Sequence, residues 1–146
     1  MRALRIILIT SLMILAVSSC KKAEDISMKV YLTQTLWTYD FQESDYDDET
    51  VQLAIDIAND LLVDATLLYK LNGDFEKIIR PPGEVPYTSS GQWTLNAGAK
   101  TLTHTIGDRE TIFDIVTLDE FDLILDRRAT SHDNVSYTVR EYWYKD

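Results

Sequence analysis

One cysteine, Cys20, is the entire thiol content of this 146-residue chain, so no disulfide can form within it. Histidine is nearly as scarce. His104 and His132 lie far apart, which leaves a zinc or iron site without evident ligands, and no cofactor is implied. Five glycines and three prolines accompany an absence of internal repeats and low-complexity segments. Positive charge is short as well: 14 Lys and Arg face 24 Asp and Glu, a formal charge of −10 that becomes −12 if Arg2 and Arg5 leave with residues 1–19. So acidic a chain repels phosphate backbones and anionic headgroups, which argues against nucleic acid and against direct adsorption to a membrane surface.

Long apolar runs are missing too. Behind Arg2 and Arg5, the stretch from Ile6 to Val17 is almost purely apolar over about twelve residues, whereas a membrane span needs about twenty. Its length is that of a signal-peptide core. The stretch ends in Val17-Ser18-Ser19-Cys20, and these residues resemble the lipobox of bacterial lipoproteins. That resemblance implies a lipid on the Cys20 thiol, cleavage before Cys20, acylation of the new amine, and hence a membrane contact made through the lipid. Small residues at 18 and 19 would admit the peptidase, and two or more acyl chains anchor firmly where one does not. Residues 20–29 then form a charged, flexible tether. Within it, Lys21, Lys22, Glu24 and Asp25 resemble the surface-export signal of Bacteroides-type lipoproteins. These resemblances imply a mature protein at the outer membrane.

What is present from residue 30 onward is mostly alternation. Tyr31, Thr33, Thr35, Trp37, Tyr39 and Phe41 share one face of an expected first strand; Ala65, Leu67, Tyr69 and Leu71 share one face of a second. Asn72-Gly73-Asp74 predicts a hairpin turn, with Phe75 to Arg80 as the returning strand. Arg80 to Gly91 carries turn chemistry and reads as a loop. Further strands follow around Trp93 and Leu95, around Leu102, His104 and Ile106, from Thr111 to Leu118, from Phe121 to Leu125, and from Val135 to Tyr144. One segment has helical period instead: Val51, Ala54, Ile55, Ala58, Leu61 and Leu62 form a stripe, with Asp47 or Asp48 as N-cap. The expectation is an all-β fold with one helix between strands 1 and 2. Its eight antiparallel strands, joined by short turns, close into an up-and-down barrel. The strands are too short, and too charged on their exposed faces, for a transmembrane barrel.

Here the chain resembles the lipocalin-like domains of bacterial lipoproteins. The resemblance rests on the lipobox, Leu36-Trp37, Leu71-Asn72-Gly73-Asp74-Phe75, Gly91-Gln92-Trp93-Thr94-Leu95, and Phe113 to Asp119 leading into Leu123-Ile124-Leu125. It spans nearly all of residues 30 to 145. One departure is Thr35, where the usual glycine stands two positions before the first-strand tryptophan. The resemblance implies a calyx able to hold a small apolar molecule.

His104 is the most telling polar residue, since alternation puts it on the face of Leu102 and Ile106. There it would either orient a ligand or sit as a core histidine bonded to a neighbour such as Tyr69 or Asp114. Trp37, Tyr69, Trp93 and Phe113 join it as cavity candidates, with plain core packing as the alternative. Ser131-His132-Asp133 has the residue types of a hydrolase triad, but three adjacent residues cannot form the relay, and no Gly-x-Ser-x-Gly turn exists. No catalytic set is expected. Asp45, Asp47, Asp48 and Glu49 lack the spacing of a calcium loop and read as capping and solvated residues. The functional expectation is a non-enzymatic, lipid-anchored binder of a small apolar or amphipathic ligand. The alternative is a filled barrel whose loops contact another envelope protein.

Overall fold

The computed structural model describes residues 26–145. Cys20 and the signal segment lie outside the described residues, as do positions 20–25 of the expected tether. Eight antiparallel strands follow one another around a closed barrel, each hydrogen-bonded to its neighbour in sequence. They are β1 (Leu36–Ser44), β2 (Thr66–Tyr69), β3 (Asp74–Ile79), β4 (Tyr87–Asn96), β5 (Thr101–Ile106), β6 (Arg109–Leu118), β7 (Asp122–Thr130) and β8 (Ser136–Lys145). Pairing of β1 with β8 closes the ring.

Among the described residues two α-helices accompany the barrel, where one was expected. The first, α1, covers residues 26–34, so Tyr31 and Thr33 are helical and the first strand begins only at Leu36. Residues 26–29 likewise belong to α1 rather than to a tether. The alternation that suggested a strand misled because α1 is short and buries only Met28 and Leu32, four residues apart. Those two side chains enter the main core, so α1 seals the barrel end at which β1 starts. Trp37, fully buried, donates its indole N–H to the Leu32 carbonyl at 3.3 Å and satisfies one of the helix's terminal acceptors.

The second helix, α2 (Glu49–Leu62), lies between β1 and β2 as the period predicts. Asp48 is its N-cap: one carboxylate oxygen accepts from the backbone N–H groups of Thr50 and Val51 at 3.0 and 3.1 Å. Its buried face is narrower than the expected stripe. Val51 and Ile55 are buried, whereas Ala54 and Leu61 are exposed. The two buried residues pack on Val139, Ala129, Tyr137 and Tyr46, at the barrel end opposite α1. A polar clamp completes the docking: Asn59 Oδ1 accepts from the Tyr39 hydroxyl and from the Gln42 N–H, each at 2.7 Å, and its Nδ2 donates to the Gln42 carbonyl at 3.0 Å.

Local departures from period two have identifiable causes. A bulge between Tyr39 and Phe41 shifts the β1–β8 register, so Phe41 turns outward to stack on Tyr142 at 4.3 Å, and Gln42 takes the buried place. A second shift, between Ile115 and Thr117, leaves Val116 exposed. At the β2–β3 hairpin only Gly73 has positive φ; Asn72 instead accepts the Asp74 N–H through its side chain at 3.1 Å. Leu71, expected on the strand face, belongs to this turn and is exposed. β4 begins at Tyr87, inside the stretch expected to be loop, and Gly91 is required in it: a Cβ there would stand 2.2 Å from the Thr105 carbonyl oxygen.

The Asn59 clamp yields a prediction. Asn59→Ala leaves the Tyr39 hydroxyl and both Gln42 backbone groups without their partner, and should cost about 2–3 kcal/mol in urea unfolding. Asp56→Ala, on the exposed face of the same helix, should change stability by less than about 0.5 kcal/mol.

Candidate functional site

The barrel interior divides into an aromatic half and a charged half. Tyr69 on β2, Phe75 on β3, Trp93 on β4, His104 on β5 and Phe113 on β6 meet in one cluster. Tyr69 packs edge-on to Trp93 at 5.4 Å; the His104 ring stacks on Phe75 at 4.3 Å and tilts against Phe113 at 4.9 Å. Of the expected cavity residues, Tyr69, Trp93, His104 and Phe113 are therefore brought together. Trp37 stands apart from the rings around His104, over the end of α1. Tyr69 and Trp37 are completely buried, and both belong to the main core that fills this half. Trp93 also donates its indole N–H to the Lys70 carbonyl at 3.0 Å, and the Lys29 ammonium of α1 lies 6.0 Å from its ring centre.

Of the two partners that the sequence offers His104, the one it meets is Tyr69, whose hydroxyl lies 2.8 Å from Nε2. Burial, assisted by the nearby Lys77 charge, pushes the imidazole pKa down to about 3. The imidazole is therefore neutral near pH 7. Burial and, more weakly, Glu141 raise the Tyr69 hydroxyl well above its ordinary range, so it too stays neutral.

The charged half comprises three residues that sequence reading passed over: Lys77 on β3, Arg127 on β7 and Glu141 on β8. Glu141 is buried; it accepts from Arg127 Nε at 3.2 Å and from the Trp143 indole N–H at 3.3 Å. Lys77 places its ammonium 4.9 Å from the Trp143 ring centre. Burial lowers the Lys77 pKa, Glu141 partly restores it, and Arg127 depresses it further. Among the described residues Lys77 has no carboxylate within 4.0 Å, the ion pairs there being Lys70–Glu76, Arg127–Glu141, His132–Asp133 and Arg140–Asp126. A signal for this set was available. Lys77 alternates with Phe75 and Ile79, Arg127 with Leu125, and Glu141 with Val139 and Trp143, so each charge occupies an inward position of its strand.

The end that carries α2 is only half covered. α2 lies over β7, β8 and β1, whereas on the β4–β6 side inward positions face water. Ile106, whose side chain approaches Gly91, is 46% exposed, and Thr111, paired with His104, is also exposed. Tyr87 and Val85 extend this apolar rim. Elsewhere, Ser131 is held in its turn, where its hydroxyl accepts from Val135 N–H at 3.1 Å, and His132 meets Asp133 at 3.0 Å on the surface. Among the described residues no three His, Cys, Asp or Glu side chains converge on a metal position.

No protein-family model matches the chain, and no curated protein does. Solved structures of bovine odorant-binding protein are similar in fold. One, in complex with a selenium-containing odorant, has 12% identity and a TM-score of 0.49, covering 81% of this chain and 72% of that one. Another, from nasal mucosa, has 13% identity and a TM-score of 0.48 over 83% and 73% of the two chains. A third, in complex with undecanal, has 14% identity and a TM-score of 0.47 over 76% and 69%.

The neutral His104 makes stability pH-dependent. The folded pKa lies below the unfolded value near 6.5, so the unfolded state binds more protons between those values, and stability falls as pH falls through that window. Between pH 7 and 5 this one group should remove about 2 kcal/mol. His104→Phe should flatten that part of the profile in chemical denaturation, and an unchanged slope would contradict the assignment.

Proposed function

We propose that this chain is a non-enzymatic binding protein, tethered to the outer membrane through lipid on Cys20, whose half-open barrel end receives a small apolar or amphipathic ligand. The observation that carries the reading is solvent access to the interior. Lys77, at an inward position of β3, is only half-buried. The side chain of Arg127, opposite it, is 30% exposed. The inward residues beneath this rim, among them Trp143, Ile106 and the neutral His104, have the composition of a ligand site: mostly apolar, with a few fixed polar groups.

A second reading has its own support. The aromatic half is filled by its own side chains, and α2 turns Leu53, Ile57 and Leu61 outward, 45–60% exposed, at helical spacing. Such a face suits a protein partner in the envelope, with the barrel serving as scaffold.

Uptake of the neutral dye N-phenyl-1-naphthylamine separates the two. Under the first reading the dye binds with enhanced fluorescence, and Thr111→Trp, which places an indole in the mouth, weakens it at least tenfold while changing stability by less than about 1 kcal/mol. Absence of binding to the folded protein would favour the second. Independently, Cys20→Ser should abolish metabolic labelling with palmitate and release the chain from the membrane fraction with its barrel folded. Labelling that persists in that variant would overturn the anchor assignment.

A further inference from the structure

The charges inside the barrel do not balance. Lys77 and Arg127 face a single carboxylate, Glu141, which is engaged by Arg127 and by the Trp143 indole. His104, Tyr69 and Tyr39 are neutral near pH 7, so they do not offset the excess. Asp126, beside Arg127 in sequence, points outward to Arg140, which holds it through two bonds of 2.7 and 2.8 Å. One positive charge is thus left over within a chain whose formal charge is −10. An ammonium withdrawn from bulk water with no anion beside it is unfavourable, and the Trp143 ring compensates only part of that cost. Replacement by an apolar side chain would remove the cost, yet a lysine stands there.

From this we infer that the barrel takes an anionic amphiphile, its monoanionic head between Lys77 and Arg127 and its apolar tail directed to the rim at Ile106, Tyr87 and Val85. The inference rests on the binding reading above and names the ligand class of the same site. A single leftover charge matches a carboxylate; a dianionic phosphate would leave the interior with a net negative charge. The tail direction follows from placement. Lys77 and Arg127 lie in the half of the barrel nearer α2, the aromatic cluster blocks the way toward α1, and the gap over β4–β6 is the open route. Arg109, paired with Ile106 at the rim, adds a cation at the entrance, where the acidic surface would otherwise repel an anion.

The test uses the full chain kept in a non-ionic amphipol, with binding followed by tryptophan fluorescence, because Trp143 adjoins the site. Dodecanoate should bind at least tenfold tighter than dodecanol, and dodecylamine more weakly than either. Lys77→Met should erase the preference for dodecanoate while retaining dodecanol, and Lys77→Arg should keep it. Dodecyl phosphate tighter than dodecanoate would overturn the monoanion assignment. Equal binding of dodecanoate and dodecanol to the unaltered protein would overturn the inference and leave the binding reading standing; failure of all four probes to bind would remove both. Should Lys77→Met not fold, the ranking of the probes on the unaltered protein and on Lys77→Arg decides the matter.

Discussion

The ladder between β1 and β8, running from Trp37 opposite Lys145 to Ser44 opposite Val139, joins the first strand to the last and leaves the sheet without a free edge. Once the ring is closed, parity assigns each strand residue to the interior or the exterior, except where the bulges after Tyr39 and Ile115 shift it. The interior must then be filled, solvated or occupied. Tyr39 packing edge-on to Trp143 at 5.1 Å across this seam ties the closure to the core itself. The bulge after Tyr39 is where the seam departs from strict alternation, and it converts Phe41 from a core residue into an outer stacking partner of Tyr142.

Closure also explains why polar groups in the interior can be read for function. In an open sheet a lysine at an inward position can swing its ammonium around an edge to bulk water. Inside a ring it has only the two ends to reach, and α1 seals one of them with Met28 and Leu32. Lys77, Arg127 and Glu141 are therefore held in a space whose dielectric environment is set by Trp143, the aromatic cluster and whatever enters at the other end. The same burial accounts for the neutral imidazole of His104 and the neutral hydroxyl of Tyr69, and each makes the other easier to bury by sharing a hydrogen bond.

Much of this was legible in the residues. Alternation from Leu102 to Ile106 placed His104 inward, Asn72-Gly73 marked the β2–β3 hairpin, and the 3.6 period from Val51 marked α2. The misses have physical causes. α1 escaped because its buried face is only two residues wide, so Tyr31, Thr33 and Thr35 could be read with Trp37 as one alternating row. The start of β4 escaped because Tyr87 to Ser90 follows directly on three prolines, whose turn signal overwhelms a strand that is mostly exposed. The charged set escaped for a different reason. A charged residue in a strand is first read as facing water, and Lys77, Arg127 and Glu141 contradict that only when parity is followed through neighbours as apolar as Phe75, Leu125 and Trp143. The candidate site was thus half visible: its aromatic wall could be named from sequence, whereas its electrostatic content required the closed ring.

The two barrel ends are held by different physics. α1 contributes Met28 and Leu32 to the main core, so displacing it would expose Trp37 and the packed aromatic half at once. α2 buries Val51 and Ile55 against a separate small cluster with Val139, and is otherwise fastened by the hydrogen bonds of Asn59 to Tyr39 and Gln42. When α2 lifts as a unit, the polar groups that those bonds join pass to water, which replaces their partners as it does not in the closed Asn59→Ala variant, whereas apolar core contacts have no such replacement. Local opening is accordingly easier at the α2 end, and it leaves the aromatic cluster intact. The end with the exposed rim is thus also the end able to widen, so the tail of the proposed ligand would enter there without disturbing the packing that holds the barrel together.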